Sequence, residues 1–339
     1  MNKIRFAVVG CGHIGKRHAA MIKNNENCEL AALCDIAPKE GLAIPYDSIP
    51  FFKTIEELLG SDISFDVLCI ATPNGLHEQH ALEGLRSGHH VVIEKPMALS
   101  TTGCEHIIAE ASAQQKKVFC VMQNRFSPPA VWLKDILEKK ILGDIYLVQI
   151  NCYWNRDARY YTGKTWHGTK DQDGGTLFTQ FSHFIDIMYW LFGDIKNISG
   201  RFNSFNHAAL TDFEDSGFIN FDIVNGGMGS LNYSTSVWNE NLESSIMVIG
   251  EKGTIRVGGQ YMNEVQACKV KDYTMPVLAA SNPPNDYGPY KGSAANHHFI
   301  FENVVDVLRE RAQIKTNAME GLKVVEIIEK IYACKIPAK

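Results

Sequence analysis

Residues 4–15 read IRFAVVGCGHIG. The first six are β-prone and, but for Arg5, apolar; they run directly into Gly10, Gly12 and Gly15 at G-x-G-x-x-G spacing. A helical pattern follows, with Ile14, Ala19 and Ile22 separated by Lys16, Arg17 and Lys23. A second apolar stretch, CELAALC at 28–34, ends at Asp35, twenty residues beyond Gly15. Alone the glycine pattern is weak. With a strand before it, a helix after it and an acid at that distance, it has the context of a dinucleotide site. Gly10 permits the tight turn, Gly12 lets a pyrophosphate reach the backbone, and Gly15 lets the helix lie against the strand. The helix start, at His13 and Ile14, offers N–H donors and a partial positive charge to phosphate. Asp35 is placed to accept from the adenosine ribose 2′-OH. A carboxylate there repels a 2′-phosphate, and DIAPKE (35–40) has no arginine or serine to receive one, so the expected cofactor is NAD rather than NADP.

The alternation continues outward. FDVLCIA (65–71), HHVVIE (89–94) and KVFCVM (117–122) read as strands; the helices between them are GLHEQHALEGLRSG, with Asn74 as cap, and TTGCEHIIAEASAQQ, with Ser100 as cap. Continuous apolar strands separated by amphipathic helices predict a doubly wound parallel sheet, whose ligands sit outside the carboxyl ends of the strands. Three such ends carry chemistry: ATPN (71–74), EKP (94–96) and QNRF (123–126). Thr72, Pro73, Asn74, His77, Glu94 and Gln123 are therefore placed on the cofactor side. Lys95 stands where a dinucleotide-bound substrate would react. Glu94 anchors the nicotinamide ribose or pairs with Lys95, and the Lys95–Pro96 bond is a candidate for the cis form. His77 and His80 lack a third ligand nearby, and no metal is expected.

Beyond the boundary the pattern changes. Longer alternating stretches from IYLVQINCYW (145–154) to GTIRVGG (253–259), joined by turns such as VNGG and GEKG, predict an antiparallel meander. One buried helix is expected over GGTLFTQFSHFIDIMYWLFG (174–193), and two more over 294–311 and 318–335. Within the first, Thr179, His183 and Asp186 share one face by spacing. The domains are set at 1–124, binding NAD, and 125–339, binding substrate and carrying the oligomer contacts, with the C-terminal helix free to return to the first domain. Arg125 is either an anion clamp or a salt-bridge partner. The segment YWNRDARYYTGKTWHG (153–168) gathers Arg156, Arg159, Tyr160, Tyr161, Lys164 and Trp166; arginines suit carboxylates and phosphates, aromatic rings suit a sugar or a base. A solvated surface loop is the competing reading of the same residues.

Composition limits the function classes. The chain has 339 residues, 45% hydrophobic and 21% charged, with a formal charge of −5, so bulk electrostatics give no reason to expect a nucleic-acid partner. No apolar run is long enough to span a bilayer, and nine scattered cysteines without a C-x-x-C pair read as reduced thiols of a cytoplasmic protein. A sheet face left uncovered in the second domain predicts at least a homodimer.

Taken together, VVGCGHIGKRH (8–18), ATPNGLHEQHALEGLRSGHHVVIEKPMA (71–98), QNRFSPP (123–129), the glycine pair 174–175 and HFIDIMYWLFG (183–193) resemble the glucose–fructose oxidoreductase / inositol dehydrogenase / MocA family along essentially the whole chain. The resemblance implies an α/β protein: an N-terminal Rossmann domain and a C-terminal α/β domain on an open, mostly antiparallel sheet. It also implies oxidation or reduction of a sugar or cyclitol carbon with NAD or NADP, and a homotetramer as the assembly. Lys95 and His183 fall on the family's active-site lysine and histidine, and Thr179 falls where many members carry aspartate, which puts an Asp–His proton transfer in doubt. The segments at 153–156 and 182–186 look like those of the UDP-N-acetylglucosaminuronate 3-dehydrogenases. The expected substrate is thus a nucleotide-linked uronic acid, recognised by Arg125, Arg156, Arg159, Tyr160, Trp166, Thr179, His183 and Lys95. A dehydrogenase of a free sugar or cyclitol and a non-catalytic NAD-binding sensor are the alternatives.

Overall fold

The computed structural model describes residues 2–163, 166–288 and 290–334; Lys164, one cation of the loop at 153–168, lies outside them. The chain forms two compact units, residues 1–122 with 297–325, and residues 123–296 with 326–339.

The first unit is built on six parallel strands: β1 (Ile4–Val9), β2 (Cys28–Cys34), β3 (Phe51–Phe52), β4 (Val67–Ile70), β5 (His90–Ile93) and β6 (Val118–Cys120). Their order is β3-β2-β1-β4-β5-β6, so β1 and β4 flank the point where the winding reverses. Helices α1 (His13–Asn24), α2 (Ile55–Leu59), α3 (His77–Arg86) and α4 (Thr101–Ala113) connect them. Phe6, Val8, Leu68, Ile70, Val91 and Ile93 are wholly buried, which is why these strands read as unbroken apolar runs rather than alternating ones. Edge strand β3 is two residues long, too short to leave a periodic signal. Ser100 caps α4 by accepting from the Gly103 amide at 3.0 Å. Asn74 does not cap α3; it opens a single 3-10 turn, Asn74–Leu76, and α3 begins after it at His77.

The second unit holds α5 (Pro128–Glu138), β7 (Ile145–Tyr153), α6 (Ala158–Tyr161), α7 (Thr176–Thr179), α8 (Ser182–Phe192), β8 (Ile195–Asn203), β9 (Ser216–Ile223), β10 (Met228–Ser234), β11 (Glu243–Gly250), β12 (Gly253–Gly258), β13 (Glu264–Val270), and a small pair, β14 (Pro284–Asp286) and β15 (Lys291–Ala294). The seven-stranded sheet runs β13-β12-β11-β7-β10-β9-β8. It is mostly antiparallel but not the simple meander expected: β7 lies between β10 and β11, parallel to β10 and antiparallel to β11. The first strand takes the central place, and the chain leaves through α6–α8 to re-enter at the far edge as β8. Val148, Ile150 and Cys152 of β7 are wholly buried on one face, as are Leu231 and Val248 of its neighbours. Burying each such aliphatic side chain is worth roughly 1.5–3 kcal/mol.

The single helix expected at 174–193 is two. Phe181, at φ −114° and ψ 4°, leaves the helical basin between α7 and α8. Thr179 and His183 therefore lie on separate helices, and the i, i+4 face drawn through them does not exist; the pair His183 and Asp186 stays within α8.

Late in the chain, α9 (His297–Leu308) and the first half of α10 (Ala318–Ala333) belong to the first unit. Phe301 meets Phe6 edge-on at 5.7 Å, and the Cys120 amide donates to the Thr316 carbonyl at 2.9 Å. Among the described residues no helix is long and apolar enough to cross a membrane.

Candidate active site

In the first unit the glycine turn is sterically obligatory. Gly10 has φ +85°, and a Cβ there would sit 2.5 Å from the Ala71 carbonyl oxygen. A Cβ on Gly15 would fall 1.7 Å from the Gly10 oxygen, so only glycine lets α1 close onto β1. Gly12, by contrast, faces open space, as an approach for a phosphate requires, and it caps α1 without a side chain of its own. His13 is exposed and Ile14 half-buried at the same helix start. Asp35 closes the turn: Oδ2 accepts from the Cys11 amide at 2.6 Å and Oδ1 from the Ala37 amide at 2.8 Å. These residues fit NAD: an open cradle over a helix N-terminus, with a carboxylate fixed beside it.

The strand-end loops are tied together by His77. Its Nδ1 lies 2.7 Å from the Pro96 carbonyl oxygen and its Nε2 3.0 Å from that of Thr72. Burial lowers the His77 pKa, against the pull of those two carbonyls. The Lys95–Pro96 bond is cis, and Lys95 is half-buried. Glu94 is buried, and its surroundings escaped the sequence reading. Oε1 lies 2.9 Å from His18 Nε2 on α1 and 3.7 Å from His297 Nε2 on α9, while Oε2 accepts from the Lys95 amide at 3.2 Å. Burial pushes the Glu94 carboxyl up, but the His18 hydrogen bond and the charges of His18, His297 and Lys95 override it and hold it at about 2. Burial drives His297 down to about 3.

In the second unit, Gln123 and His183 meet, Nε2 to Nε2 at 3.4 Å, both buried. Arg125 is engaged in a buried ion pair. Its Nε and Nη2 grip both oxygens of Asp186, and its guanidinium stands over the Trp190 ring at 5.5 Å. The salt bridge, one of the two alternatives read for Arg125, is present in the structure.

Arg156, expected among the substrate residues, has its hydrogen-bonding groups engaged within the protein. This guanidinium is 3% exposed and caged by Trp154, Tyr160 and Tyr290 at 4.8, 5.4 and 4.9 Å. It donates to Gln180 Oε1, the Asn155 carbonyl, Asn241 Oδ1 and the Lys291 carbonyl. Four of five N–H groups are thus held by neutral acceptors, and among the described residues no carboxylate pairs with it. The charge remains as a field rather than as a bidentate hand. Burial lowers the Arg156 pKa. Tyr160 is buried and its hydroxyl accepts from Gln180 Nε2 at 2.8 Å. Arg159 is turned outward onto its neighbour Asp157, with further bonds to Asn155 and Asn239, so it too is engaged within its own loop. Trp166 is half-buried and leans on His167, ring centroids 3.8 Å apart. Thr179 bonds to a buried aspartate, Asp173, which the sequence reading passed over. Among the described residues no three His, Cys, Asp or Glu side chains are placed to hold a metal.

Residues 4–122 match the model of an oxidoreductase family with an NAD-binding Rossmann fold, and residues 131–256 match the GFO/IDH/MocA C-terminal domain. The chain belongs to the GFO/IDH/MocA family. Two crystal structures resemble this family member along its length: the WlbA dehydrogenases of Chromobacterium violaceum and Bordetella pertussis, each in complex with NADH and UDP-GlcNAcA. The first is 30% identical with a TM-score of 0.87, covering 98% of this chain and 94% of its own. The second has the same identity and TM-score and covers all of both chains. Among curated relatives, scyllo-inositol 2-dehydrogenase (NADP(+)) IolW of Bacillus subtilis is 24% identical over 299 residues, 83% of this chain and 80% of its own. This GFO/IDH/MocA protein is an NAD-dependent sugar oxidoreductase.

Proposed function

We propose that the substrate is a UDP-linked N-acetylhexosaminuronic acid, oxidised at C3 of the sugar. The observation that carries this reading is the whole-length likeness to two dehydrogenases that bind NADH together with UDP-GlcNAcA. The buried Arg156 charge supports it: an unneutralised guanidinium favours an acidic sugar over a neutral one.

Gly10, Gly12, the start of α1 and Asp35 hold NAD, with Thr72, Pro73, Asn74 and His77 lining the nicotinamide side. When bound, NAD supplies the acceptor for the hydride that leaves the carbinol carbon. Lys95 takes the hydroxyl proton at Nζ. His77, whose Nδ1 lies 2.7 Å from the Pro96 carbonyl and donates to it, fixes the loop that carries this lysine. Glu94 holds the Lys95 amide from the other side. His183, oriented by Gln123, acts as the partner acid or base.

The test is the ratio of kcat/KM for UDP-N-acetylglucosaminuronate and neutral UDP-N-acetylglucosamine, followed by nicotinamide absorbance. The acid is expected to be better by about a hundredfold or more, the scale of discrimination by a site built for a polar group. Equal values would remove the carboxylate from the reading and leave a free sugar or cyclitol, the substrate class of the inositol dehydrogenase relative.

A further inference from the structure

Thr179 and Asp173 form a pair whose hydrogen-bond polarity is fixed. Asp173 is 0% exposed, and its Oδ2 accepts from the backbone N–H of Gly168 at 2.8 Å. Thr179 Oγ1 has two oxygens of this one residue in reach: Asp173 Oδ1, and the Asp173 carbonyl at 2.9 Å. A hydroxyl carries one hydrogen and two lone pairs. A carbonyl never donates and a carboxylate only accepts, so the Thr179 hydrogen is committed to Asp173. Toward any other group, Oγ1 is an acceptor.

We propose that Asp173 is a positioning residue that holds Thr179 Oγ1 as a one-way acceptor for a hydroxyl of the sugar substrate. The proposal rests on the sugar-oxidising reading above, which sets substrate against the α7–α8 segment. The arrangement selects a donor at one place on the sugar and rejects an analogue that lacks it, because an acceptor left dry in a buried site loses a full hydrogen bond. A purely architectural tie between residues 168–173 and α7 is the competing account, and the two differ in what substitution does to turnover.

Asp173→Asn reverses the polarity. The Gly168 amide still requires an acceptor, so the side-chain carbonyl stays there and the NH2 turns toward Thr179. It then donates into one of the two Oγ1 lone pairs, while the Thr179 hydrogen stays on the Asp173 carbonyl, and so competes with the sugar hydroxyl for that oxygen. Asp173→Asn, Thr179→Val, Thr179→Ser and the double variant Asp173→Asn/Thr179→Val would be compared on whichever of UDP-N-acetylglucosaminuronate, glucose 6-phosphate and myo-inositol the wild type oxidises fastest. NAD binding by calorimetry reports that each variant is folded. The identity of the preferred sugar decides the substrate reading; the ratios among variants decide this one. Asp173→Asn and Thr179→Val are each expected to lose about tenfold to a hundredfold in kcat/KM. Thr179→Ser should recover most of what valine loses, and the double variant should be no worse than Thr179→Val alone, since Asp173 acts only through that hydroxyl. Thr179→Val at wild-type kcat/KM, or losses that multiply in the double variant, would overturn the proposal. Should Asp173→Asn not fold, the contrast of valine with serine at 179 still decides it.

Discussion

Arg125 and Asp186 are bound through Nε and Nη2 of the guanidinium at 2.6–3.1 Å, with side chains 4% and 1% exposed. A pair this deep stabilises less than its geometry suggests, because both ions have left water; breaking it from one side is what costs. Arg125→Met should destabilise the protein by about 3–5 kcal/mol, because the buried Asp186 charge loses its Arg125 partner. The double variant Arg125→Met/Asp186→Leu should recover much of that loss. Urea melts of the three proteins measure it, and a double variant as unstable as the single one would contradict the argument.

Cofactor choice follows from Asp35. Both of its oxygens are fixed by backbone amides, so the carboxylate cannot swing away from a 2′-phosphate. NAD is expected to bind at least about tenfold more tightly than NADP, and Asp35→Ser should narrow the gap. Equal affinities in calorimetry would show that another group reads the ribose.

Lys95→Ala should keep its NAD affinity and lose about 10²–10⁴-fold in kcat, the usual contribution of a positioned proton acceptor. Turnover near wild type would move the base to His183 or elsewhere.

Much of this was legible in the first 122 residues, where strand, glycine turn and helix are local and each apolar run is buried on both faces. Legibility failed where partners are distant. His297 reaches Glu94 across 203 positions, and no local spacing announces it. The cage around Arg156 is half-visible, since Trp154 and Tyr160 lie beside it in sequence, but Gln180, Asn241 and Tyr290 close it from afar. A loop rich in arginine looks anion-binding until its internal acceptors are known; Arg159 on Asp157 is the plain case. The central placement of β7 was hidden for the same reason, because alternation shows which face is buried and not which strand is the neighbour.

Acid should weaken the fold through His297 and Glu94. His297 is held at about 3 against an ordinary 6.5, by burial first, with Glu94 opposing and His18, Arg17 and Lys95 adding to the depression. Below pH 6.5 the unfolded chain binds a proton that the folded one refuses, so stability falls as pH drops toward 3. Glu94, at about 2 against an ordinary 4.5, adds a loss of the same sign below pH 4.5. His297 alone can contribute up to about 1.4 kcal/mol per pH unit across its window. Urea melts at pH 7, 6 and 5 should show the decline, and His297→Gln should flatten it by about one proton. An unchanged slope in that variant would place the proton uptake on other histidines.

The last expectation concerns assembly. One face of the seven-stranded sheet is buried within its unit; the other carries Phe218, Met228, Leu147, Met247 and Ile249, exposed or half-buried. The pairings Met228 with Leu147 and Leu147 with Ile249 place three of these side by side across β10, β7 and β11. Between them runs a ladder of short polar groups, with Asn232 Nδ2 on Asn151 Oδ1 at 3.0 Å and Asn151 Nδ2 near Ser245 Oγ at 3.4 Å. Their hydrogen bonds are largely met inside the sheet, so covering this face would leave few polar groups stranded. An apolar stripe of this kind across a broad sheet is expected to be covered by a second copy, a surface that pairs with itself about a twofold axis. Light scattering at micromolar concentration should give a dimer or a tetramer. Met247→Lys, which puts a charge beside the central strand, should shift the mass toward the monomer, and a wild type that is already monomeric would refute the assignment of this face.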